Sequence, residues 1–549
     1  MKIPRPAPAV LFLFSLACST ATMDKGTTYT GTVVAGADQT PQKNFAVHVS
    51  AGLIREVGPA AEIRRAHPHA RMVDTGGTIL PGLTDAHAHL AGLGAALDTM
   101  NLVDTSSLDE VIERTRQRAT AAPKGEWILG RGWDQNDWPV KEFPTAASLD
   151  RVIADRPVWL RRIDGHAGLA NTAAIRAAGI TGATPDPAGG KILRDARGEP
   201  TGVFVDAAMD LVDRVVSAVT YEQQKRRIHA AAQQIAANGL TEIHDAGADD
   251  DTIRAVRELI DEKRFPIRVY TMLADNEGLL RAWFARGPLV DYGGRLTVRS
   301  VKLYADGALG SRGAALLEPY ADDPENRGLM IATPEHMSDV AHRGRAAGFQ
   351  MNAHAIGDRG VRNVLDAYES SGVTPKERFR IEHLQVVAPA DFARLLRNGV
   401  IASMQPTHAT SDMYWAEERV GPERVKGAYA WRTVIDAGGR LALGSDFPVE
   451  AVNPWLGIHA AVARKDLKGW PAAGWYPGQA LTIREAIRGF TSDAAYAAFE
   501  EKTRGTIEPG KLADFTIVEG DPYTMPASDL HKVRVRYTVV GGEIMHEAK

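Results

Sequence analysis

The stretch TILPGLTDAHAHL, residues 78–90, runs an apolar segment into two histidines spaced two apart, His87 and His89. Side chains at i and i+2 of a strand share a face, so both imidazoles leave one short, buried strand in the same direction. Such a pair arises by chance in many strands. Its meaning depends on what ends the other strands of the chain.

Segments of the same texture recur as GLTEIHDAG, FPIRVYTML, VRSVKLYADG, GFQMNAHA, RFRIEHLQ, GVIASMQP and RLALGSD, alternating with helix-like stretches; with ILPGLTDAH they number eight. Strands alternating with helices predict a parallel sheet, and eight such units predict an α/β protein built on a closed (β/α)8, TIM-like barrel. Residues at the C-terminal ends of barrel strands converge on one mouth. There the sequence puts His87 and His89 after the first strand, Lys302 in the fourth, and His354, His383 and Asp446 at the ends of the fifth, sixth and eighth. Neutral imidazoles with a carboxylate suit a divalent cation, zinc first, with iron, manganese or nickel also compatible. Alternation turns Lys302 and Tyr304 to one face, and an inward lysine among histidines needs an anionic partner or a modification. A structural ion pair with Asp306 is the plain alternative.

Outside the barrel, TGTVVAG and FAVHVSAGLIREVG near the start and GTIEPGKLADFTIVEG and VRVRYTVVGGEIM near the end have the alternation of short strands. They predict one small composite β-sandwich from residues 22–78 and 501–549, flanking a barrel over 79–500. The interval after the first strand is too long for a simple connection. Its WILGRGWDQNDW, RPVWLRRIDGHAGLAN and DPAGGKILRDARGEPTG predict an inserted subdomain at about 100–215.

In order, PGLTDAHAHL, GRGWDQNDW, DGHAGLAN, DPAGGKI, GEPTGV, GLTEIHDAG, VKLYADGALGSR, NAHAIGDRG, RIEHLQ, GSDFPVE and EPGKLADF resemble segments of the amidohydrolase superfamily, and within it the YtcJ-like branch that includes N-substituted formamide deformylases. The resemblance covers nearly the whole chain beyond its first residues. It implies that His87 and His89 with Asp446 hold one metal, that His354 and His383 hold another, and that Lys302 bridges them as an N-carboxylate, giving one or two divalent ions per chain. A cation in such a site lowers the pKa of bound water towards ~7 and polarises a carbonyl. By its family position Asp446 would take the water's proton and deliver it to a leaving amine; a purely ligating Asp446 is the alternative. The implied activity is hydrolysis of a non-peptide C–N bond in an amide or formamide. Hydrolysis of a cyclic amide, an N-acyl amino acid or an ester stays open, as does a catalytically silent, secreted binding protein on the same fold.

Further residues are candidates for binding a small-molecule amide. Trp133, Asp134 and Trp138 suit a substrate wall or a loop anchor, His166 in DGHAGLAN suits a substrate hydrogen bond or a structural role, and His408 in MQPTHAT follows the seventh strand. His244 and Asp245 end the second strand, where a partner to a ligand fits, although core packing is the simpler reading of His244. Lys and Arg number 64 against 68 Asp and Glu, a net charge of -4, and no basic block is present, which argues against nucleic acid. No Walker-type or dinucleotide motif points to a nucleotide cofactor.

At the start of the chain, Lys2 and Arg5 precede the apolar run AVLFLFSLA, at ~9 residues too short to span a bilayer and followed by small residues. This predicts an export signal over residues 1–21 and a periplasmic or lipid-anchored protein. Cys18 is the only cysteine, and SLAC resembles a lipoprotein cleavage box; an unmodified signal cysteine is the alternative. Membrane contact is expected only if Cys18 is lipidated. Intact-mass measurement of cell-envelope protein is expected to show a chain lacking the apolar run, with a diacylated Cys18 marking the lipoprotein form. Retention of Met1 through Ala17 would contradict it.

Overall fold

The computed structural model describes residues 25–548 apart from 104, 134, 136–137, 163–166, 188–189, 207, 217–218 and 311. The expected signal with Cys18, and the candidates Asp134 and His166, lie outside the described residues.

Eight parallel strands form the central sheet in chain order: Leu83–Ala88 (β1), Leu240–Ala248 (β2), Arg268–Ala274 (β3), Leu296–Tyr304 (β4), Gln350–Ala355 (β5), Arg380–His383 (β6), Ile401–Met404 (β7) and Leu441–Leu443 (β8). Alternation sorts their side chains. Met351 of β5 lies under helix Pro334–Ala346, where a Cβ on Gly344 would touch it, whereas Asn352 and His354 take the opposite, inner face. The register sets Tyr304 beside His354 and Ala355 beside His383, so the ends of β4, β5 and β6 are level.

The seam of this nearly closed barrel lies between β8 and β1. There the main chains bond just beyond β8, Asp446 N–H to the His87 carbonyl at 2.8 Å and His89 N–H to the Phe447 carbonyl at 2.9 Å. Asp85 reinforces the seam by accepting from Ser445 N–H at 3.0 Å and from Ser445 Oγ at 2.6 Å. The approach is so close that a Cβ on Gly444 would stand 2.5 Å from Asp85 Oδ1 and 2.6 Å from His87 N, which explains glycine there.

Between β1 and β2 the chain builds a separate sheet of six strands, from Met100–Asn101 to Pro200–Asp206. Its two faces bury different clusters: Leu160, Leu169 and Val203 face one, Trp159, Ala170 and Phe204 the other. The two chain ends meet in one seven-stranded sheet. In it Arg71–Pro81 pairs in parallel with Thr27–Val33 and antiparallel with Phe515–Val518. This sheet curls round its own core of Tyr29, Val47, Ile54, Ile79, Phe515 and Val539, and Ile54 N–H reaches the Lys511 carbonyl at 2.8 Å.

Buried ions tie that sheet to the bottom of the barrel. Arg268, at the start of β3, makes a two-pronged contact with Asp514 at 2.8 and 2.9 Å, and Arg504 reaches Glu242 of β2 at 2.7 Å. Removing one partner leaves the other charge buried and unpaired. Asp514→Ala is therefore expected to lower stability by about 3–5 kcal/mol, read from the urea midpoint. A loss below about 1 kcal/mol would show that water relieves Arg268.

Candidate metal centre

The six residues expected as ligands converge at one mouth of the barrel. His89 Nε2 lies 3.0 Å and His87 Nε2 3.5 Å from Asp446 Oδ1, while Lys302 Nζ contacts His87 Nε2 at 2.9 Å. The His383 ring stands 4.8 Å from that of His87 and 4.5 Å from that of His354, centroid to centroid. Potential ligand atoms of His87, His383 and Asp446 all lie within 4.8 Å of one another. The two ligand groups expected from sequence thus form one continuous cluster.

Backbone strain helps to aim them. Asp446 has φ 65° and His383 φ 71°, a left-handed conformation that costs a non-glycine residue energy and is common at functional sites. A regular strand sends consecutive side chains to opposite faces. The turn at His383 breaks that rule, and both Glu382 and His383 reach His87.

Two of the rings are oriented from behind. His87 Nδ1 lies 2.5 Å from Glu382 Oε2 and His383 Nδ1 lies 2.8 Å from Gln405 Oε1. Carboxylate and amide oxygens only accept, so both rings carry hydrogen on Nδ1 and turn the Nε2 lone pair inward, the form a cation requires. Burial, aided by the charge of Lys302, pushes His87 and His383 far below the ordinary imidazole pKa and His354 down to about 3. All three are neutral at neutral pH. Burial also pushes the Lys302 ammonium down to about 8, partly offset by Glu382 and Asp446. For Asp446, burial favours the neutral acid, but the hydrogen bond from His89 and the charge of Lys302 oppose it, and the carboxyl is held below its usual range. Two neutral nitrogens turned inward at His87 and His383, the neutral His354 beside them and an ionised carboxylate fit a divalent cation.

Lys302 does not pair with Asp306. Asp306 instead accepts backbone N–H groups from Ala315, Ile356 and Gly357 at 2.8–2.9 Å, fixing the loops after β4 and β5, and lies 3.7 Å from His354. Asp245 accepts from Leu90 N–H at 2.8 Å and so holds the chain just after His89. His244 lies in the barrel interior against Arg380 and Tyr270, as the packing reading expects.

Trp133 and Trp138 correct an expectation. Both are buried in the core of the insert, with indole N–H groups bonded to the carbonyls of Leu160 at 2.8 Å and Thr105 at 2.9 Å. They have almost no open surface to offer a substrate; loop anchoring describes them. His408 does reach the centre, with Nε2 at 3.7 Å from Asp446 Oδ2. Sequence reasoning missed Glu382, Gln405 and Asp85. Asp85 was detectable, since it shares the i, i+2, i+4 face with His87 and His89, whereas Glu382 was hidden by its position next to His383.

The chain is similar to known proteins along most of its length. The profile of the amidohydrolase family Amidohydro_3 matches residues 74–546. YtcJ of Bacillus subtilis (strain 168), described as an amidohydrolase, is 34% identical over 514 residues, covering 91% of this chain and 96% of its own. An N-substituted formamide deformylase of Arthrobacter pascens is 28% identical over 522 residues, covering 91% and 95%. The crystal structure of an uncharacterized metal-dependent hydrolase from Pyrococcus furiosus superposes with a TM-score of 0.75 at 28% identity, covering 91% of this chain and all (100%) of that one.

Glu382→Gln keeps the shape but removes the charge that orients His87. It is expected to weaken zinc binding about 10- to 100-fold, read by competition with a chromophoric chelator. Unchanged affinity would mean that the barrel wall alone holds the ring.

Proposed function

This chain belongs to the amidohydrolase family, and from that premise we propose that it hydrolyses a non-peptide C–N bond in a small amide, with N-substituted formamides as the leading class. One observation carries the reading: two neutral imidazoles, His87 and His383, turn their lone pairs inward beside a carboxylate that the site keeps ionised. The deformylase relative supports the choice of bond, and the complete set of ligand types favours an enzyme over a silent binding protein.

His87, His89 and Asp446 would hold one ion and His354 and His383 a second, with zinc the leading candidate. Such a cation supplies a Lewis acid for the amide carbonyl and acidifies water towards ~7. Asp446 is held below the usual carboxylate range, so it is ionised and able to accept the proton that water loses. It then gives that proton to the nitrogen as the C–N bond breaks, so that water and amide become acid and amine. Glu382 keeps His87 in the ligating tautomer throughout.

Lys302 has a separate task. Its amine approaches His87 Nε2, the same lone pair a cation needs, and an ammonium there would be repelled by a dication. Burial brings its pKa to about 8, leaving an appreciable fraction as the free amine that combines with carbon dioxide. Carbamate formation releases one proton, and the anionic product would supply oxygen atoms to hold the ions.

In this proposal the export signal expected over residues 1–21 would carry the enzyme out of the cytoplasm. Screening N-formyl, N-acetyl and cyclic amides against zinc-loaded protein is expected to show turnover first among formamides. On the substrate found, Asp446→Asn should fold normally and lose at least about 100-fold in kcat. Lys302→Ala should lose at least one zinc per chain and regain part of it with added acetate. Near-parental turnover in the first variant, or full zinc content in the second, would remove the corresponding role.

A further inference from the structure

His408 sits on the short helix Pro406–Asp412, directly after β7. Its ring is buried and nearly parallel to that of His383, with an interplanar angle of 19°. Its Nε2 has no hydrogen-bond partner among the described residues. The Asp446 Oδ2 in front of it, at 3.7 Å, is too distant for a direct hydrogen bond. A buried polar atom without a partner is unfavourable and calls for an explanation.

The other ring nitrogen shows which atom carries the hydrogen. Gln385 Nε2 stands 3.2 Å from His408 Nδ1. An amide N–H donates, so Nδ1 accepts, and the neutral ring has its hydrogen on Nε2. The other tautomer would set two acceptors, Nε2 and a carboxylate oxygen, face to face. The support behind Gln385 is firm: its carbonyl accepts from Tyr429 N–H at 2.7 Å, and the Tyr429 carbonyl accepts from the buried Arg464 at 3.1 Å. Tyr429 in turn donates its hydroxyl to Asp412, on the helix of His408, at 2.6 Å.

We propose that His408 Nε2–H is the hydrogen-bond donor to the scissile carbonyl oxygen of the substrate and to the negative charge that builds on it, an assignment that rests on the amide-hydrolase reading above. Nε2 faces the same mouth as Asp446, so a substrate oxygen set to one side of the line between them could accept from Nε2 while lying beside the carboxylate. As Asp446 takes a proton it loses its charge while the substrate oxygen gains one, so the fixed donor meets charge where it develops. No bond is made or broken at His408, and its hydrogen stays on Nε2. An inward N–H also excludes the ring as a ligand through that atom.

Methylphosphonate, with tetrahedral anionic oxygens, probes this seat without any need for turnover. Calorimetric titration of the zinc-loaded full chain is expected to show binding that weakens about 100-fold in His408→Ala at unchanged zinc content. His408→Gln, which keeps an N–H at similar reach, should stay within about fivefold of the parent. Loss of zinc in His408→Ala, affinity within about threefold of the parent, or no measurable binding by the parent would each overturn the assignment. Crystals of the parent with methylphosphonate decide it even if the variants fail to fold: an oxygen in hydrogen-bond contact with Nε2 supports the donor, and one beyond reach overturns it. If no amide is hydrolysed while methylphosphonate binding still depends on His408, the amide reading fails and the oxyanion seat stands.

Discussion

The site depends on how the barrel is joined. Asp446 N–H bonds to the His87 carbonyl and His89 N–H to the Phe447 carbonyl, so the junction between the last and first strands is made by the residues that carry the chemistry. Closing the sheet and assembling the cluster are one event. The glycine at 444, the serine at 445 and the buried Asp85 exist at their positions because the two backbones must come that close. Burial pushes Asp85 up to about 7 against the hydrogen bonds that favour its charge, a cost accepted in exchange for holding two strands that share no regular ladder.

Behind the ligands lies a second layer that decides what they can do. Glu382 and Gln405 contribute no ligand atom in the proposed arrangement, yet they select the tautomer of His87 and His383. Without them a neutral imidazole would be free to present N–H inward. Gln385 has the opposite effect on His408, accepting nothing from Nδ1 and leaving hydrogen on Nε2. One mouth therefore presents lone pairs on one side and a donor on the other, a polarity suited to a cation and an anionic oxygen lying side by side.

The rest of the molecule keeps this arrangement rigid. The curled terminal sheet is fastened to the barrel floor by Arg268 with Asp514 and Arg504 with Glu242. Buried pairs of this kind add little net stability but penalise any slip that separates them. The insert has apolar clusters on both faces of its sheet, and so can extend from the end of β1 without drawing on the barrel's core. Its large tryptophans serve that independence.

Much of this was readable from the chain. Strand texture and spacing determined eight βα units, and with them the convergence of His87, His89, Lys302, His354, His383 and Asp446, because any residue that ends a barrel strand must face the mouth. Composition argued against a nucleic-acid partner on charge balance alone. Pairings between side chains distant in sequence were not readable. Glu382 behind His87, Gln405 behind His383 and Ser445 on Asp85 depend on which strands become neighbours and on left-handed turns at His383 and Asp446 that override alternation. The direction of Trp133 and Trp138 was equally undetermined, since an aromatic residue satisfies a core or a pocket wall alike until the sheet beneath it is built. Local periodicity specifies which residues point inward; only the closed tertiary structure decides which of them touch, because those contacts form across the barrel rather than along the chain.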